Sequence, residues 1–290
     1  MKNILIALVL ALGSVTVQAA PAAPATVNVD GTAVPLRITS TLAEDVLDAE
    51  KAVARARLDF IPGAGETFHF DANGQKSAKP VKGGFFRKVV GTTADGRVVV
   101  QDFWQDSGKA KLEPYAVAKG AAASDFSVTV DSALIGYTDD DTFAIQPVRN
   151  QKLTGRYSYY NKGRLRAQLP LRQEDGESEN DLPELRAFAT THMRLFYPDG
   201  KLLVLFPVDL KNLDVEGIVL VYRADGTLLA STTTGAEQWI MRDTAGSVLT
   251  KETAEYAAAA EEFQEVARQW FALARQLEQF GLDIRYGDKN

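Results

Sequence analysis

Residues Arg194 to Ser231 read RLFYPDGKLLVLFPVDLKNLDVEGIVLVYRADGTLLAS and contain one phrase twice. The copies are Phe196-Tyr197-Pro198-Asp199-Gly200-Lys201-Leu202-Leu203 and Tyr222-Arg223-Ala224-Asp225-Gly226-Thr227-Leu228-Leu229. Each sets aromatic and aliphatic residues on both sides of an Asp-Gly, where glycine takes the positive φ of a tight turn without strain. Two successive hairpins follow, and they set the expectation for the whole chain. It is mainly β, a β-rich α+β chain: an antiparallel hairpin meander with a short N-terminal helix and a long C-terminal amphipathic helix packed on the sheet.

Working outward, Tyr160-Asn161-Lys162-Gly163-Arg164-Leu165 is a third copy, and Met241 to Leu249 around Gly246 a looser fourth. The glycines at 163, 200, 226 and 246 lie 37, 26 and 20 residues apart, so the period is loose. Gly217-Ile218-Val219-Leu220-Val221-Tyr222-Arg223-Ala224-Asp225-Gly226-Thr227-Leu228 is its fullest form. That segment resembles the MORN-variant repeats of bacterial YwqK-type antitoxin proteins, G-x-x-x-x-Y-x-x-(D/N)-G-x-L. The resemblance is confined to parts of residues 155–250 and implies successive hairpins of an antiparallel meander. It implies no activity, because function belongs to sites rather than folds.

Upstream, Thr26 to Thr39 alternates around Asp30-Gly31 and suits a first hairpin. Thr41 and Glu44 have capping-box spacing and lead into apolar residues at helical intervals, predicting a helix over 42–57; a strand starting at Ala52 is the competing expectation. Glu66 to Val117 reads strand, turn, strand, with glycines at 74, 96 and 108, and Val98-Val99-Val100 suits the middle of a covered sheet. The run Glu174 to Asp181, EDGESEND, holds no apolar side chain and is taken as a solvated loop. It divides a β-rich region, 26–172, from hairpins plus helix, 182–290, with 173–181 as the boundary and Pro183 suited to a helix start. In the last segment, Tyr256, Phe263, Trp270 and Leu277 repeat every seven residues, and Ala259, Val266, Leu273 and Phe280 follow three places later. That is one stripe on a helix spanning Lys251 to Phe280. It closes the sheet or pairs with a second copy, giving a monomer or a homodimer.

Met1 to Ala19 has one early Lys2, an apolar run Ile4 to Leu12 and small residues before Ala20, the layout of a signal peptide cut near Ala19. Residues 20–25 are a flexible lead-in. The expected place is the periplasm of a Gram-negative bacterium, or outside the cell. Cleavage removes one Lys and no acid, taking the formal net charge from −6 to −7. Such acidity argues against nucleic acid as partner, and no later segment is apolar for long enough to span a membrane. With no Cys, the chain has neither disulfides nor thiolate chemistry.

Only His69 and His192 are present, each in a strand-like run without a second ligand near it in sequence. Nucleophile elbows, zinc motifs and phosphate loops are absent, so no catalytic residue, metal or cofactor is expected. Asp139-Asp140-Asp141 and the acidic loop lack calcium-loop spacing. One aromatic and basic patch stands out: Arg156, Tyr157, Tyr159, Tyr160, Lys162, Arg164 and Arg166. Its rings and cations suit stacking on a partner, although plain strand alternation with a solvated Arg face accounts for the same residues. Tyr157, Tyr160, Arg164, Arg166 and the off-stripe Phe271 are the candidate partner contacts. The functional expectation is a non-enzymatic binding or scaffold protein of the cell envelope, touching protein or envelope polymer through a sheet face. The alternative is a periplasmic hydrolase using two carboxylates about 5–9.5 Å apart.

Overall fold

The computed structural model describes residues 25–138, 142–170, 182–188, 192–208, 215–236 and 238–278. Residues 1–19, most of the lead-in, the acidic loop and Asp139–Asp141 lie outside them. The chain is mainly β, with antiparallel sheets. Nine strands form the larger sheet: Leu134–Tyr137, Phe143–Gln146, Arg156–Asn161, Arg164–Pro170, His192–Phe196, Leu202–Pro207, Ile218–Tyr222, Leu228–Thr233 and Ile240–Met241. Each pairs with its neighbour in chain order; the small hairpin Val148–Arg149 with Lys152–Leu153 stands aside. The expected boundary at 173–181 is therefore not a division of the fold. Strands on either side of it pair directly, Ala167 with Leu195 and Gln168 with Arg194. A solvated run marks a loop, and a loop can join neighbours in one sheet.

The repeated phrase has a shared geometry. In the hairpins turned by Gly163, Gly200 and Gly226, pairing slips by one residue just after the turn, at Arg166, Leu203 and Leu229. Such a bulge sets two residues of one strand against a single residue of its partner. Here Leu202 and Leu228 face one side of the sheet while Leu203 and Leu229 face the other. The double leucine serves two cores. In the remaining copy the second leucine is replaced by Arg166, whose Nε donates to Phe196 O at 3.0 Å.

Two layers cover the larger sheet, where its hairpins alone suggest a single apolar face in need of a lid. The helix Ala254–Glu278 lies on one side, burying Ala259, Val266, Trp270, Leu273 and Leu277 against Met193, Leu203, Phe206 and Leu229. Thr253 Oγ1 accepts from Tyr256 N at 3.1 Å and caps its start. Arg223, in the turn before Gly226, reaches Glu262 on this helix at 2.8 Å. Over 25 residues the helix runs about 37 Å; Phe280 falls outside the described residues. Its stripe packs on the sheet, the first of the two uses expected for it.

The opposite side is covered by the N-terminal hairpin Thr26–Val29 and Thr32–Pro35, two short helices and the 3-10 helix Pro183–Phe188. The expected single helix over 42–57 is two pieces, Glu44–Leu47 and Ala49–Ala56. Asp48 breaks them: it is extended, bridges Arg164, and its side chain accepts from Lys51 N to start the second piece. The capping box is not used. Glu44 binds Arg164 instead, at 2.5 Å.

Long-range backbone bonds hold this layer down: Ile38 N donates to Gly226 O at 2.9 Å and Leu228 N to Leu36 O at 2.8 Å. Gly226 has φ +85°, and a Cβ there would sit 2.1 Å from Ile38 O, whereas Gly163, at φ +75°, has nothing within 4 Å. Gly163→Ala is expected to cost about 1 kcal/mol of backbone strain. Gly226→Ala should cost visibly more, because Ile38 must also move; denaturant midpoints of the two variants compare them. Glu184 supplies a second tie, its Oε1 accepting from Thr39 N, Thr39 Oγ1 and Ser40 N, each at 3.0 Å. Burial works to raise this carboxyl's pKa, but the backbone and Ser40 bonds outweigh it and hold the value below the ordinary one. With a depressed folded pKa, its stabilisation is complete above the unfolded value of about 4.3 and is lost as pH falls through the folded value. Glu184→Gln should therefore lower the unfolding midpoint near neutral pH and converge with the unaltered protein in acid.

A smaller sheet orders Lys76–Ser77, Thr67–Phe70, Phe85–Thr92, Val98–Trp104 and Tyr115–Ala116, with Ile61–Pro62 on Phe85–Thr92. It joins the larger one through 111–113: Glu113 N donates to Ile135 O, and Tyr137 N to Lys111 O. The chain thus passes from one sheet to the other between Ala116 and Leu134.

Candidate functional site

The tyrosines of the hairpin patch are interior. Tyr160 is 2% exposed, stacks on Phe143 and donates its hydroxyl to Val46 O at 2.9 Å under the N-terminal layer. Tyr157, 9% exposed, lies on the opposite face in the core beneath the C-terminal helix. Adjacent aromatics alternate across a sheet covered on both sides, so no surface of stacked rings forms there. Arg164 is paired with Glu44 and Arg166 donates to Phe196 O. Phe271 is 53% exposed and stacks on Trp270 with centroids 5.5 Å apart. His192 is half-buried, its pKa pushed down to about 4 by desolvation with help from Arg194 and Arg156, so its imidazole is neutral.

The smaller sheet holds an arrangement that sequence reasoning missed. Cross-strand pairing places Ser77, His69, Phe86 and Phe103 in one row over four strands, with Thr67, Lys88 and Gln101 in the parallel row beside it. Phe86 and Phe103 stack at 5.1 Å and 11°. His69 lies 6.2 Å from Phe86, and its Nδ1 is 3.1 Å from Gln105 Oε1. Lys88 is exposed, with its ammonium 5.4 Å from the centroid of each phenyl ring. All three rings are partly solvent-exposed and belong to none of the interior apolar clusters. The sequence signal was the pair of doublets Phe85-Phe86 and Phe103-Trp104, which in a strand must send one ring to each face.

Beneath this row the same strands carry a buried ion pair. Arg87 Nε meets Asp102 Oδ1 at 2.7 Å, and both side chains are under 5% exposed. Tyr115 Oη donates to Asp102 at 3.2 Å, and Arg87 Nη1 donates to Ala123 O and Asp125 O. Burial alone would depress the Arg87 pKa; Asp102 reverses this and leaves it raised. Burial also pushes the Tyr115 hydroxyl up and the Lys111 ammonium down. The Lys111 ammonium sits 4.7 Å and 4.6 Å from the Phe85 and Trp104 rings. This network fixes the register of Phe85–Thr92 against Val98–Trp104, and with it the placing of Phe86 against Phe103.

A cavity beside helix Ala49–Ala56, a cleft beside Phe271 and a depression at Gly65 and Val89 have a single carboxylate among their linings, Glu66. Among the described residues no group of three or more His, Asp or Glu is placed to hold a metal ion, and no helix is long and apolar enough to cross a membrane. Compared with known proteins, the chain matches no family model and no curated protein.

Proposed function

We propose that the protein is an exported, non-enzymatic binding protein of the bacterial cell envelope that holds an anionic glycan on the His69, Phe86 and Phe103 row. The observation that carries this is the row itself, an aromatic strip on a sheet face with a lysine beside it. Both faces of the larger sheet are covered, so its MORN-like hairpins act as scaffold. Aromatic faces stack on the apolar faces of sugar rings, while Lys88, Gln101 and Gln105 offer polar partners to hydroxyl and carboxylate groups. Local charge agrees in sign. From Glu66 to Lys111 there are eight Lys and Arg against five Asp and Glu, in a chain of net charge −6.

Cosedimentation of the purified protein with isolated cell-wall glycan tests it. Phe86→Ala with Phe103→Ala should weaken binding by about tenfold or more, as two lost stacking contacts imply. Lys88→Gln should weaken it less and flatten its salt dependence. Binding that survives the double substitution unchanged, or a protein captured from extracts while the glycan gives no signal, would remove the glycan reading. Export is tested separately by the mass of the chain in a periplasmic extract, which should begin at Ala20.

A further inference from the structure

Between helix Ala49–Ala56 and the end of the larger sheet lies a cavity of about 490 Å³, within the roughly 300–1,000 Å³ usual for small-molecule sites. Val46, Ala52, Ala56, Ile145, Pro147 and Val148 give it apolar walls. Its lining also holds three arginines, Arg55, Arg149 and Arg156, and no carboxylate. In an acidic chain that is an uneven distribution of charge, and it favours an anion.

The floor is set by the sheet. Ile145 pairs with Ser158 and Ser158 with Gln168, so one row across three strands faces the space. Gln168 is 3% exposed, and its Oε1 has no hydrogen-bond partner among the described residues. An interior acceptor left unmade is costly, and this one borders a cavity large enough to admit a donor. Beyond Ile145 and Ser158 the ladder stops, and the side hairpin contributes Arg149 to the lining. Arg55 is already paired with Asp45 at 2.8 Å, and Arg156 Nη1 donates to His192 O at 3.4 Å. Arg149, which is exposed, is the cation best able to turn onto an incoming charge.

We propose that this cavity binds a small organic anion. Its carboxylate or phosphate head meets the guanidinium of Arg149, with Arg156 and Arg55 adding positive charge. An N–H or O–H of the ligand donates to Gln168 Oε1, and its carbon frame lies against Val46, Ala52 and Ile145. The site is separate from the aromatic row, so the glycan proposal and this one stand or fall independently.

Calorimetric titration of the whole mature chain tests it with L-malate and N-acetylglycine as carboxylates, glycerol 3-phosphate as a phosphate, and glycerol as the uncharged control. Saturable binding is expected from one of the two anionic arms, and the arm that responds identifies the head group. Arg149→Ala and Gln168→Leu should each weaken that binding by about fivefold or more, the weight of one ordinary hydrogen bond. Gln168→Leu should do so without lowering the unfolding midpoint of the ligand-free protein, since it removes an unpaired acceptor at nearly constant volume. No saturable heat from any anion at about 10 mM, equal binding of glycerol, or binding unchanged in either variant would overturn the proposal.

Discussion

Asp102→Ala is expected to cost about 3–5 kcal/mol, because it strands the Arg87 guanidinium in an interior it entered only as half of a pair. Arg87 is 2% exposed and would keep the carbonyls of Ala123 and Asp125 and the Phe70 and Tyr115 rings, with no anion to balance its charge. Tyr115 would lose the acceptor for its hydroxyl. Lys111 would lose the charge that offsets its burial, with Arg87 still acting against its proton. The double variant Arg87→Met with Asp102→Leu should regain most of the loss, since two buried charges are themselves costly and apolar side chains of similar size fill the same space. Denaturant unfolding of the two variants decides the matter: a double variant as unstable as the single one would show that packing, and not the stranded charge, sets the cost.

Trp270→Ala should be of similar size, about 3–5 kcal/mol, for a different reason. Trp270 is 4% exposed and touches Phe206 of the sheet at 5.9 Å and Trp239 at 6.3 Å. It is the largest side chain that the C-terminal helix inserts into the core. Phe271 is its control: adjacent on the helix and 53% exposed, its truncation should cost less than about 1 kcal/mol. Equal thermal midpoints for Trp270→Ala and Phe271→Ala would mean that the helix gains little by lying on the sheet.

The turns were legible because their chemistry is local. Asp-Gly and Asn-Gly need no distant partner to declare themselves, and Gly74, Gly96, Gly200, Gly226 and Gly246 all hold φ between +79° and +93°. In each of these turns the glycine N–H bonds the carbonyl three residues back. Phe196 to Ser231 also showed apolar residues on both faces, yet doubled leucines do not say what covers them. The N-terminal layer stayed hidden for that reason: Val29, Val34 and Val46 read as apolar, while their partners Leu202, Leu220 and Tyr222 lie well over 100 residues away. The helix breaks at Asp48 because Asp48 bridges Arg164 and Ala49 N donates to Gly163 O, which no local propensity encodes. The Phe86 and Phe103 row was unreadable because register between strands decides it, and a slip of one residue would have turned either ring inward. The hairpin patch misled in the opposite sense, since alternation with a solvated outer face presumes a sheet covered on one side only.

The clasp formed by residues 35–40 bears on the order in which the molecule can be completed. Pro35 O receives the hydroxyl of Tyr222, and Ile38 lies on Gly226, so this early segment is sealed by a strand 187 residues further along the chain. Neighbouring strands of the meander can pair as they are made. Leu203, Phe206 and Leu229 on the other face, by contrast, have no cover until the helix Ala254–Glu278, which follows every strand of the sheet in the chain, lies across them. Until that helix is made, the finished meander carries one greasy, unroofed flank.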